Sequence, residues 1–256
     1  VVFNKTYYGY STYPHREGLA LAKYLAMVLG SKPALWFALM TSGEFGFERD
    51  VVEKATIDRT FVPLFEAFAA TDRHRMEGLF ASLTKNPNVG WEEVDAWVAQ
   101  LYGLKPRDLD VISDTLKYSL PFAYNKKSAQ SVPTVEAIRL FCATLGAELA
   151  EWAGRFGKRL SAEQAPLPRA SPWRALKLHV LNGGQEGKST TEERWFEFFK
   201  VADQQAASET IFEDPAAKCI WIGRLDQARY WTRTRARLVA RQMIWEHPEF
   251  LSAGAR

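Results

Sequence analysis

Apolar residues recur along this chain at two different periods, and the change from one to the other divides it. From Glu17 to Leu29 the positions Leu21, Tyr24, Leu25 and Val28 fall at helical spacing, and Gly30 closes the run. Ser31-Lys32-Pro33 opens a second helix whose apolar residues Leu35, Trp36, Phe37, Leu39 and Met40 end at Thr41-Ser42-Gly43. Trp91 to Tyr102 is the cleanest amphipathic helix, with Val94, Trp97, Val98 and Leu101 on one face and Gly103 as its stop. Lys85-Asn86-Pro87-Asn88 reads as a turn before it, and Pro106 opens another helix after it, with Leu109, Ile112 and Leu116 along one side. Thr134 is a good cap for a long helix carrying Ile138, Phe141, Cys142, Leu145, Leu149 and Trp152.

Beyond Phe156 the pattern changes. Gly157 to Ser171 is rich in Pro and Ala and reads as a linker. Ala175 to Leu181 alternates as a strand, and Lys218 to Leu225 is the strongest strand in the chain. Trp195 to Val201 fits strand or helix, and Thr232 caps a helix that runs to about Glu246. Residues 1–14, with four Tyr, favour a short strand or extended arm. The expectation is an α+β protein. It has a mostly helical unit over 1–156, a linker over 157–171, and a small α+β unit with a basic C-terminal helix over 172–256.

Composition narrows the function less than the pattern narrows the fold. The 256 residues are 47% hydrophobic, enough for a substantial core, and nine Trp, nine Tyr and 16 Phe argue against a disordered chain. A net charge of +3 does not mark a nucleic-acid binder, so local clustering has to carry that case. Cys142 and Cys219 fit no metal spacing and read as free buried thiols in a reducing cytoplasm. No secretory signal and no apolar run of membrane-spanning length is read, so a cytoplasmic protein is expected. The opening Val1-Val2-Phe3 lacks a Met, which leads us to expect sequence upstream.

Three constellations invite chemistry. Leu176 to Thr190 runs from a strand into glycines and Gly187-Lys188-Ser189, but a phosphate-binding loop needs four residues between its glycines, and counting from Gly183 gives three. A nucleotide-binding enzyme using the Gly183–Ser189 loop is therefore a minor alternative, and a nuclease role for Glu186 and Lys188 is weaker still. The histidines at 15, 74, 179 and 247 do not pair at metal spacing, and no catalytic triad emerges. The basic cluster is the best signal: Arg224 to Arg241 holds six Arg and one Asp. Arg233, Arg237 and Arg241 fall at i, i+4 and i+8, with Arg229, Tyr230 and Trp231 beside them, a combination suited to phosphate contact and base stacking. The competing account is a solvated helix face paired with carboxylates elsewhere.

The wording of the chain adds to this. Ser31 to Leu64, SKPALWFALMTSGEFGFERDVVEKATIDRTFVPL, resembles the target-recognition region of N-6 adenine-specific DNA methyltransferases of restriction-modification and phage-defence systems. The matching positions are Ser31, Lys32, Trp36, Phe37, Ser42, Gly46, Glu48, Arg49, Lys54, Ile57 and Pro63. Tyr102 to Leu104 and Trp221 to Leu238 also resemble the C-terminal regions of such proteins. The family's catalytic part needs an Asn/Asp-Pro-Pro-aromatic loop and a glycine-rich loop for S-adenosylmethionine. Asn86-Pro87-Asn88-Val89 and Ser119-Leu120-Pro121-Phe122 both fall short of the first. The resemblance thus implies a part that binds duplex DNA without a catalytic, cofactor or metal site of its own. A methyltransferase catalytic domain or subunit would carry S-adenosylmethionine. Candidate DNA-binding residues are Ser42, Phe45, Phe47, Arg49 and Lys54, an irregular set suited to base reading, with Arg229, Tyr230, Arg233, Arg237 and Arg241 for the backbone. The rival is a non-catalytic protein-interaction subunit of a defence complex.

Overall fold

The structure, a computed structural model, describes residues 9–43, 52–120, 123–166, 168, 171–181, 191–205, 207–215 and 218–252. It is α+β, and the chain divides into two units at Leu116/Lys117.

The first unit is helical: α1 (Gly18–Gly30), α2 (Lys32–Thr41), α3 (Lys54–Asp58), a 3-10 turn at Phe65–Ala67, α4 (Ala70–Lys85), α5 (Pro87–Leu101) and α6 (Pro106–Asp114). Ser31 separates α1 from α2; its hydroxyl donates to the Val28 carbonyl at 2.6 Å and accepts from the Ala34 N–H at 3.4 Å. The expected turn before α5 shrinks to Asn86, because Pro87 occupies the first helical turn, where its missing N–H costs nothing. Tyr24, Met27 and Val28 of α1 meet Phe65, Met76, Val94, Trp97 and Val98 in the core. The Tyr24 ring lies 5.1 Å from that of Phe68 and 6.1 Å from that of Trp97, and its hydroxyl donates to the Pro63 carbonyl at 2.7 Å. Burial pushes that phenol well above its ordinary pKa. Residues 9–14 form no strand, and the remainder of the expected arm lies outside the described residues.

The second unit comprises α7 (Ala123–Gln130), α8 (Val135–Gly154), β1 (Arg159–Gln164), β2 (Trp173–Leu181), α9 (Thr191–Gln205), β3 (Glu209–Asp214), β4 (Cys219–Leu225), α10 (Arg233–Glu246) and α11 (Pro248–Ser252). The strands form one antiparallel sheet in the order β1-β2-β4-β3, with Leu160 opposite Val180, Leu176 opposite Ile222 and Phe212 opposite Trp221. On one face Leu176, Leu178, Ile220 and Ile222 pack against Ile138, Phe141, Leu145 and Leu149 of α8 and Ala236, Val239, Ala240 and Met243 of α10. On the other, Trp195 and Phe198 of α9 cover Ala175, Cys219 and Trp221. Gly223 makes room for this: a Cβ there would lie 1.9 Å from the Phe198 ring.

Two expectations are corrected. The stretch 157–171 is not simply a linker. Gly157, at φ +66°, turns the chain out of α8, and β1 then pairs with β2 along its whole length. The division between units accordingly falls near residue 116 rather than at 157–171. The apolar stripe of α8 needs the sheet and α10 to cover it, so α8 belongs with the second unit. Trp195 to Val201, ambiguous by pattern, is helical. Both cysteines are free; burial pushes the thiol of Cys219 up to about 11, with the nearby Asp214 carboxylate adding to it, and also raises that of Cys142.

Candidate nucleic-acid interface

The basic cluster is built on the corner where β4 hands over to α10. After Leu225 the chain turns through Asp226 and Gln227 into a 3-10 turn at Ala228–Tyr230. Backbone bonds fix it: Asp226 N–H donates to the Pro172 carbonyl at 2.8 Å, and Ala228 N–H to the Ser131 carbonyl at 2.7 Å. The Trp231 indole N–H donates to the Leu225 carbonyl at 3.0 Å, and the Thr232 hydroxyl accepts from Arg235 N–H at 3.2 Å to cap α10. Two ion pairs lie beneath the corner. Arg174 holds Asp226 through two hydrogen bonds, of 2.6 and 3.1 Å, and Arg224 holds Glu209 at 2.6 Å while donating to the Tyr230 carbonyl at 3.2 Å. Burial pulls Arg224 down to about 10, against the pull of Glu209 the other way.

The arginines that spacing places in one stripe separate by environment. Arg233 and Arg241 are exposed. Arg237, 20% exposed, is drawn to α8, where its Nε donates to Glu148 at 3.2 Å. Arg224 is interior. Tyr230 is 8% exposed and Trp231 is buried, both in the core beside Phe141, so neither ring is open to a base. That corrects the base-stacking role expected of Tyr230. The Arg229 guanidinium lies 4.8 Å from the Tyr230 ring, and its Nε is buried without a hydrogen-bond partner among the described residues. Pattern reading passed over two further residues. Arg235, 44% exposed, sits on the flank of α10 towards Glu209, 3.9 Å away, off the i, i+4 line. Trp245, 84% exposed, stands with Leu238 and Arg241 along the solvent-facing crest of the helix. The spacing of Leu238, Arg241 and Trp245 opposite the buried stripe was the available signal for this crest.

At the other candidate region, Ser42 ends α2 and its hydroxyl accepts from Glu53 N–H at 3.5 Å. Lys54 opens α3, contacts Asp58 at 2.5 Å and lies 5.6 Å from the Tyr10 ring. Phe45, Phe47 and Arg49 lie outside the described residues, as does the Gly183–Ser189 loop. Ser42 and Lys54 belong to the first unit and the α10 residues to the second. Among the described residues no cluster of three metal-ligating side chains is found, and no single helix is long and apolar enough to cross a membrane. Comparison with protein-family models, with curated proteins and with solved structures gave no match.

Proposed function

We propose that this chain is the DNA-recognition and scaffold part of an adenine-specific DNA methyltransferase of a restriction-modification or phage-defence system. It binds duplex DNA, while another domain or subunit holds S-adenosylmethionine and transfers the methyl group; a cytoplasmic location goes with this role. The observation that carries the reading is the charge layout of α10. A helix N-terminus carries partial positive charge and favours acids, and its C-terminus favours bases. Helix α10 does the reverse: Arg233, Arg235 and Arg237 fall within its first five residues, its last turn has no base, and Glu246 ends it. Such a layout costs about 0.3–1 kcal/mol per misplaced charge at a surface, met in part within the chain by Glu148 at Arg237 and Glu209 at Arg235. A polyanion laid against the helix offsets that cost, and local rules are most often broken where function requires it.

The test is duplex binding by the full chain at two salt concentrations. Arg233→Gln with Arg241→Gln should weaken binding to all sequences alike and lower the salt slope by about one unit for each phosphate no longer neutralised. Unchanged DNA affinity in the double variant would remove this reading. The crest residues Trp245 and Leu238 favour a second one, a protein-interaction subunit. On that account Trp245→Ser abolishes a protein complex, and the arginine substitutions leave DNA binding as it was.

A further inference from the structure

The sheet of the second unit has a different chemistry on the side away from α10. Helix α9 covers that face, and where the helix ends, an open cavity of about 550 Å³ remains between it and the sheet. Among the described residues its walls are Trp173 at the start of β2, Phe199, Ala202 and Asp203 on α9, and Ala207 just after the helix. The two rings are fixed from behind. Trp173 stands edge to face on Phe198 at 5.2 Å, and the Phe199 ring lies 5.4 Å from that of Trp195. The Ser171 hydroxyl accepts from the Trp173 N–H at 3.0 Å and donates to the Trp173 carbonyl at 3.1 Å, which pins the start of β2. Trp173 and Phe199 each keep part of their surface open.

Three features of this cavity favour a cation. First, Asp203 is the charged residue of the wall; it is exposed and makes no hydrogen bond or ion pair among the described residues. Lys200, one turn earlier and outside the wall, does not reach it. Arg174 follows Trp173 in sequence, but strand alternation turns it to the other face of the sheet, where it holds Asp226. Second, Asp203 stands in the last turn of α9, which carries no base, so its charge adds to the partial negative charge of the helix C-terminus. Third, aromatic rings attract a cation lying over their faces. The wall also selects the kind of cation. A primary ammonium brings three donors and a guanidinium five, whereas one carboxylate is offered here, beside two rings and the methyl groups of Ala202 and Ala207. A cation that carries methyl groups in place of N–H leaves no donor unpaired.

We propose that this cavity binds an N-methylated ammonium group, with Trp173 and Phe199 against its methyl groups and Asp203 beside its charge. Two sources carry that group, a free amine of the choline type and a methylated lysine of another protein, and the test separates them. The full chain is titrated at low salt with choline, with the neutral isostere in which carbon replaces the choline nitrogen, and with ethanolamine. A short trimethyllysine peptide and its unmethylated counterpart complete the set. Binding is read from the Trp173 indole and Phe199 ring resonances. The expected result is saturable binding of choline, with the isostere and ethanolamine at least about fivefold weaker. Asp203→Asn should weaken choline binding about fivefold and bring it close to that of the isostere. Asp203 is exposed, so that variant folds, and Phe199→Leu serves as a second. Tighter binding of the methylated peptide than of choline assigns the site to a protein side chain, and the reverse order to a free amine. Equal binding of choline and either ethanolamine or the isostere overturns the proposal. So does choline binding that Asp203→Asn leaves unchanged, or the lack of saturable binding by every methylated probe. None of these outcomes bears on duplex binding through α10, which packs on the opposite face of the sheet.

Discussion

The two units handle charge in opposite ways. The helical unit keeps its ion pairs at the periphery, as with Lys23–Glu77, Lys32–Asp95 and Lys54–Asp58, and fills its interior with rings and aliphatic chains around Tyr24 and Trp97. The sheet unit draws arginines inward, Arg174 onto Asp226, Arg224 onto Glu209 and Arg194 onto Asp214, each joining segments that are distant in sequence. Exposed pairs contribute little to stability. A buried pair is hardly better than an apolar replacement, yet costly to break on one side. In the sheet unit, then, charge acts as a set of latches: Arg224 ties β4 to β3, Arg194 ties α9 to β3, and Arg174 ties β2 to the turn after β4.

That contrast can be broken experimentally, and the largest effect should come from Arg224→Ala. It leaves the Tyr230 carbonyl without its donor and Glu209, a third exposed, with only Arg235 at 3.9 Å, and should cost about 3 kcal/mol in urea denaturation, the low end for one side of a buried pair. A loss below about 1 kcal/mol would place Arg224 with the peripheral pairs. Gly223→Ala should follow, at about 2–3 kcal/mol, because the added methyl meets the Phe198 ring. Phe198→Leu in the same chain should recover part of that loss, and a lack of recovery would mean that the strand backbone, not the ring, is the constraint. In the helical unit Tyr24→Phe should cost about 1 kcal/mol by leaving the Pro63 carbonyl unpaired.

The smallest effect concerns acid. Hydrogen bonds from Lys54 and then Tyr10 hold the Asp58 carboxyl below its ordinary pKa of 3.8. A carboxylate with a depressed folded-state pKa stabilises the fold above that ordinary value, and the contribution disappears as pH falls through the lower one. Lowering the pH through and below that ordinary value should therefore loosen the tie between residue 10 and α3. Asp58→Asn should abolish that part of the acid response, as read from the Tyr10 ring resonances. A Tyr10 titration unaltered by Asp58→Asn would show that the tie contributes nothing.

How much of this was readable from sequence depended on what each pattern reports. The stripes of α5, α8 and α10 and the run of β4 are strong because each element buries a whole face, and they point to the fold class. Strand β1 was missed because an edge strand as polar as Arg159–Gln164 takes its conformation from β2, its one strand neighbour among the described residues, rather than from its own alternation. The division of the chain was missed for a related reason: the α8 stripe announces that it is buried without saying against what. In α9 the buried Trp195, Phe198 and Ala202 do have helical spacing, but Phe196 and Phe199 among them blur it. At the candidate interface, spacing grouped Arg233, Arg237 and Arg241. It could not show that Glu148, on a helix 89 residues earlier, claims the middle one.

The Cys219 thiol offers a clock for the sheet unit. The residue is 1% exposed at the start of a central strand, and its thiol is shifted to about 11, so the folded chain presents neither access nor thiolate to an alkylating reagent. Cys142, half-buried on α8, should react first. The slower modification then times how often β4 comes away from its neighbours.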